Sequence, residues 1–272
     1  MRFSRLIWVL ALLLTLAACQ ERGRTPQEFP TRVPSVDALA TSQVLTQNAP
    51  PEGFRESVAF PQIDANLPLL AAWHYEVLLQ FDGVFAQTSR RAEAFTRASV
   101  WYRQLGNHRR VVLASGGELV EGEGVSELEG VRLGDDAFLV RDGLCRAAGS
   151  DQATTAADLR AGDLIGGVQV AVPAGVRATI NGEAVWRYDF TVDDLVLPQV
   201  RLGDNGRITA MTGELWVAPA HNAVVRFNVN LDVENVVLTL FEDTPPVSGQ
   251  LVLRYDLYDV GEDPNITQPF GC

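Results

Sequence analysis

The chain has 272 residues, 47% hydrophobic and 21% charged, with 34 acidic side chains against 22 basic ones, every one of them Arg. A formal net charge of −12 without any Lys argues against nucleic-acid binding, against a phosphate-binding loop and against imine chemistry. The balance of apolar and charged residues is that of a folded chain, long enough for one large domain or two small ones.

Arg2 and Arg5 precede an apolar run from Leu6 to Ala18 that ends in small residues before Cys19. Such a run spans about 20 Å as a helix, short of the roughly 30 Å hydrocarbon core, so it reads as a signal peptide over residues 1–18 rather than a membrane-spanning helix. Leu16-Ala17-Ala18-Cys19 resembles a bacterial lipobox, which implies lipidation of the Cys19 sulfur, cleavage before it and an acyl anchor to the extracytoplasmic face of the cell membrane. The alternative is a plain secretory signal. Residues 19–66 are expected to be a tether. Pro26, Pro30, Pro34, Pro50, Pro51, Pro61 and Pro68 crowd this stretch and its edge, with a short helix possible over Ser35 to Gln47.

From residue 67 to 272 we expect one mostly β domain. Trp73, Tyr75, Val77, Leu79 and Phe81 alternate with polar neighbours, the period of a strand with one buried face. Strands are expected at Ala92 to Gln104, Arg109 to Ser115, Leu128 to Leu133 and Ala137 to Arg141, divided by Gly-containing turns. A capped helix is expected over Thr154 to Ala161, with Gly162 as its stop. Strands resume at Val168 to Val172 and Arg177 to Ile180. The Asn181-Gly182 hairpin signal then leads into Glu183 to Val192, where Trp186, Tyr188 and Phe190 share a face. Ile208 to Val217 and Ala223 to Val233 flank the turn Pro219 to Asn222, and Val236 to Phe241 and Val247 to Val260 close the chain. The sum is an α+β fold dominated by about ten or eleven antiparallel strands, with one or two short helices.

Three local texts, Trp73-His74-Tyr75-Glu76-Val77, Gly213-Glu214-Leu215-Trp216-Val217-Ala218-Pro219 and Leu253-Arg254-Tyr255-Asp256-Leu257-Tyr258-Asp259-Val260, stand in order behind the lipobox. Together they resemble the LolA/LolB-like and LppX/LprG-like superfamily of lipid-carrying envelope lipoproteins. The resemblance implies a half-barrel, a single curved antiparallel sheet with helices on its concave face. It also implies carriage or sensing of a lipid or lipidated molecule, without catalysis and without a cofactor. The helix signals here are fewer and shorter than that pattern.

Five apolar strand faces with little helix to cover them suggest an apolar pocket on the concave face. Its expected lining is Tyr75, Val77, Leu79, Trp186, Tyr188, Phe190, Met211, Leu215, Phe227, Val229, Leu231, Leu251, Leu253 and Tyr255, with room left by Ala92, Ala94, Thr96 and Ala98. The competing reading is a filled core and a non-catalytic module that binds an envelope protein. Cys145 and Cys272, left after Cys19 is lipidated, are expected to pair in an oxidising compartment rather than persist as separate thiols.

Other chemistry is poorly supported. His74, His108 and His221 have no metal-ligand spacing and read as surface groups. Ser115-Gly116-Gly117 lacks the nucleophile elbow of a hydrolase, and Asp135-Asp136 and Asp193-Asp194 read as turn acids. Asn265-Ile266-Thr267 matches a glycosylation sequon that a bacterial lipoprotein would not use. The expected partners are therefore a lipid and the membrane, with the protein itself a monomer.

Overall fold

The computed structural model describes residues 49–88, 90–120, 124–241 and 244–272. The signal segment, Cys19 and the possible helix at Ser35 to Gln47 lie outside the described residues. Alternation produces a succession of strands. They are β1 (Val58–Phe60), β2 (Ala72–Phe85), β3 (Arg91–Arg103), β4 (His108–Gly116), β5 (Ser126–Leu133), β6 (Asp136–Arg141) and β7 (Leu144–Ala148). Two short helices follow, α1 (Asp151–Ala157) and α2 (Ala161–Ile165). The chain ends with β8 (Gly167–Ile180), β9 (Glu183–Asp189), β10 (Leu195–Val196), β11 (Val200–Ala218), β12 (Ala223–Leu238) and β13 (Val247–Tyr258).

All of them join one antiparallel 13-stranded sheet in the order β1-β8-β9-β11-β12-β13-β2-β3-β4-β5-β6-β7, with β10 paired to β8. The sheet is not closed into a barrel: β1 and β7 are its two edges. Two meanders, β2 to β7 and β8 to β13, are stitched together by the register of β13 on β2, from Val247 opposite Phe85 to Tyr258 opposite His74. Asn181 and Gly182 both have positive φ, 52° and 87°, as a two-residue turn of matching twist requires between β8 and β9.

Register fixes which side chains share a face. Tyr75, Val100, Val111, Gly130 and Leu139 stand opposite one another across β2 to β6, so they form one row on the inner face. His74, Trp101, Arg110, Val131 and Phe138 form the neighbouring row on the outer face. The inner face carries the main core, and α2 contributes Leu164 and Ile165 to it. A second, separate cluster of Ala137, Leu139 and Ala153 lies under α1.

Several expectations need correction. Residues Pro50–Cys272 form one compact unit. Within the stretch read as tether, Val58 and Phe60 pair with β8, and Ile63 and Leu67 are buried. A three-residue strand ended by Pro61 is too short to display a period. Among the described residues thirteen strands replace ten or eleven because β1, β7 and β10 are all brief. Val168 to Ile180 is continuous, with a register shift between Pro173 and Arg177, and Val236 to Leu238 simply continues β12.

The expected helix at Thr154 to Ala161 is displaced. Ser150 caps α1 by accepting from the Ala153 N–H at 3.1 Å, so the helix starts earlier and stops at Ala157. A separate helix then begins at Ala161, with Gly162 inside it.

Candidate functional site

The side chains expected to line a concave pocket are mostly core. Tyr75, Val77, Leu79, Tyr188, Leu215, Phe227, Val229, Leu231, Leu251, Leu253 and Tyr255 are all buried in the main cluster, and Trp186, Phe190 and Met211 pack against it partly exposed. Cover comes from elements that the alternation did not announce: Phe54, β1, the turn at Leu67 and α2. Phe54 lies 4.5 Å from the Trp186 ring and 6.4 Å from Tyr188, while Phe190 meets Phe227 at 5.8 Å. Ala92, Ala94, Thr96 and Ala98 are likewise buried, with Ala98 and Ala94 bordering clefts of the sheet. Of the expected lining residues, Val77 borders an outer cleft of 680 Å³ whose remaining walls include Glu76, Leu78, Arg97 and Arg254. Burial of each large side chain contributes roughly 1.5–3 kcal/mol, so these faces act as stabilising core.

One buried polar group was not foreseen. Asp64, 3% exposed, accepts from the backbone N–H of Ala161 at 3.1 Å and of Gly162 at 3.2 Å, and it lies 3.6 Å from Arg160. It satisfies the first turn of α2 from a distant part of the chain. The Tyr75 hydroxyl also accepts from Ala161, at 3.0 Å. Burial raises the Tyr75 and Tyr255 phenols well above their ordinary pKa, so both stay protonated. An aspartate in a Pro-rich stretch carries no sequence signal for this role.

A large opening with an apolar floor lies elsewhere, between α1 and the wing of the sheet formed by β4 to β7. Helix α1 rests on Gly130, where a Cβ would stand 2.5 Å from the Ala156 carbonyl carbon. Ala153 and Ala157 form its fully buried face, small enough for this close approach. The adjoining flank consists of Gln152, Thr155 and Ala156 on α1 with Leu159 just beyond the helix. Together with Leu113, Leu128 and Leu139 from the sheet, it encloses a groove of about 800 Å³, the size of a small-molecule site.

The far end of α1 is fastened. Arg132 Nε donates to Asp158 Oδ1 at 2.9 Å, and Arg109 Nη2 donates to the Leu159 carbonyl at 2.6 Å. Arg141 and Arg146 also line the groove, and neither has an ion pair among the described residues. An apolar floor beside two uncommitted guanidinium groups, against the single carboxylate of Asp151 in the same lining, suits a ligand with a hydrocarbon part and an anionic head. Leu113, Leu128 and Leu139 fall within strands the sequence predicts, but none of them was among the expected lining residues. Which helix flank they would face was not legible.

Cys145 on β7 and Cys272 at the end of the chain are joined by a disulfide with Cα atoms 5.3 Å apart. His74 is not a surface group: its ring stacks on Trp101 at 4.6 Å and on Tyr258 at 5.5 Å, with Asp259 at 3.6 Å from Nδ1. His108 meets Arg103, and His221 meets Glu183. Asp194 is committed to a capping box with Thr191. Among the described residues no three His, Cys, Asp or Glu side chains gather as a metal site, and no helix is long and apolar enough to cross a membrane.

No family model matches the chain, and no curated protein does. Among solved structures, LprF from Mycobacterium bovis aligns over 77% of this chain and 93% of its own, at 17% identity and a TM-score of 0.37. A DUF1329 family protein from Desulfovibrio piger aligns over 77% and 97%, at 9% identity and a TM-score of 0.16. Overlays this loose carry no assignment of function.

Proposed function

We propose that this protein is an extracytoplasmic lipoprotein that binds the acyl part of an anionic amphiphile in the groove between α1 and the β4–β7 wing. In this reading residues 1–18 are a cleaved signal, Cys19 carries the lipid anchor, and the stretch after it holds the folded unit off the membrane. The observation that carries the ligand is the groove of about 800 Å³, with its Leu113, Leu128 and Leu139 floor and with Arg141 and Arg146 free to meet a negative head. The filled main core favours the rival reading, a non-catalytic module that binds an envelope protein.

The two readings separate in one preparation. Protein isolated from its membrane is extracted with organic solvent, and both the released lipids and the N-terminal peptide are weighed by mass spectrometry. The binding reading expects an acyl-bearing anion at near one per chain, lost in Thr155→Trp, whose indole would fill the groove from an exposed position. It also expects a diacylglyceryl adduct on Cys19. A lipid-free wild-type protein would leave the interaction module in front.

A further inference from the structure

The C-terminal tail leaves β13 at Tyr258 and does not hang free. Asp259 lies 3.6 Å from His74, Asp263 lies 3.4 Å from Arg103, and Ile266 is buried beside Trp101 and Arg110. Beyond Ile266 the chain is largely exposed, and among the described residues its tie to another element is the Cys272 bond to Cys145. Both cysteines are only half-buried. Phe270, two residues before Cys272, is fully exposed.

The other end of that bond sits on a weakly held part of the fold. Strand β7 is the sheet edge, pairs with β6 alone and suffers a register shift between Leu139 and Val140. It leads within two residues into α1, whose apolar support is the small cluster of Ala137, Leu139 and Ala153. The end of α1 toward Asp158 is pinned by Arg132 and Arg109. Toward Asp151 the tie is a backbone one, Gly149 N–H to the Ala137 carbonyl at 2.8 Å, with no side-chain bond to another element among the described residues, and Arg146 and Asp151 on this side both line the groove. The disulfide is thus placed to hold the half of the groove wall that has no side-chain tie of its own.

We propose that the tail is a redox strap: the Cys145–Cys272 bond keeps β7 and the first turn of α1 closed over the groove, and an exported dithiol oxidoreductase opens it. A reductant thiolate attacks one sulfur of the bond and expels the other as thiolate, and the second reductant thiol then resolves the mixed disulfide. Two electrons and two protons pass to the protein, leaving two thiols, and the reductant becomes a disulfide. Phe270 is the apolar handle by which such an enzyme engages the tail. The consequence for a ligand rests on the groove being the binding site, whereas the opening itself does not.

Hydrogen exchange on the full-length protein, oxidised and reduced, tests the strap. Reduction by dithiothreitol should speed amide exchange at least tenfold over residues 144–157 and leave 223–233 in β12 unchanged. The double variant Cys145→Ser with Cys272→Ser should behave as the reduced protein. Equal protection of residues 144–157 in both redox states overturns the proposal, as does loss of protection in β12 to the same extent. Phe270→Ser should slow reduction by a thioredoxin-type enzyme severalfold without changing the rate with dithiothreitol, and equal enzyme rates overturn the handle. Release of bound cis-parinaric acid is followed in parallel. If exchange opens but the probe binds neither state, the strap stands and the ligand reading fails; if the probe binds and exchange does not change, the strap fails alone.

Discussion

The part of the sheet running from β8 through β13 to β2 and the wing from β4 to β7 are written in the same alternating pattern, yet they bury it differently. In the first, large side chains such as Phe227, Leu231, Tyr255 and Tyr75 meet one another and the cover supplied by β1 and α2. In the wing, the covering helix is seven residues long and presents Ala153 and Ala157 to the sheet. Small residues allow close approach at Gly130, while Leu113, Leu128 and Leu139 line an open groove beside the helix. The same alternation therefore makes a filled core where long or bulky cover arrives and a groove where it does not. A disulfide sits at the edge of this wing, on β7.

Three perturbations should separate the two regions. The largest is Phe227→Ala, which removes a fully buried ring packed on Phe190 and should cost about 3–5 kcal/mol. Urea unfolding followed by tryptophan fluorescence reads it; a loss below about 1 kcal/mol would mean that the core is looser than its burial indicates. Next is Gly130→Ala, whose new methyl must push back the α1 backbone and should cost roughly 1–3 kcal/mol. Exchange protection should fall over 151–157 while β12 and β13 keep theirs, and a uniform loss would show that the wing and the core unfold as one.

The smallest effect concerns pH. Burial lowers the pKa of His74, outweighing the opposing pull of Glu76 and Asp259. The cleft beside it also holds Arg110, Glu262 and Asp263. An unfolded His titrates near 6.5, so below about that pH the unfolded chain binds a proton that the folded one resists. The stabilisation from neutral His74 is complete above that value and declines as pH falls through it toward the lower folded pKa. Denaturation midpoints at pH 7.5 and 5.5 should differ more for the wild type than for His74→Gln. An identical pH response in the two would remove His74 as the cause.

What could be read from residues, and what could not, follows the same division. The alternation of Trp73 to Phe81, the Asn181-Gly182 turn and the turn from Pro219 to Asn222 place strands and hairpins where the structure has them, because these signals are local. The apolar faces themselves were also legible. Their destination was not. Whether Tyr75 and Leu253 line a cavity or pack depends on what arrives from elsewhere in the chain, and β1, Asp64 and α2 arrive from segments with no periodic signature.

By itself, then, the sequence determined an antiparallel, mostly β chain with one apolar face per strand, since side-chain period and turn chemistry act over a few residues. Tertiary structure alone decided that β13 pairs with β2, that the sheet stays open at β1 and β7, that the inner face fills, and that the groove opens under α1. Those outcomes depend on contacts between residues far apart in sequence, where volume and register, rather than pattern, choose among alternatives that each strand would satisfy equally well.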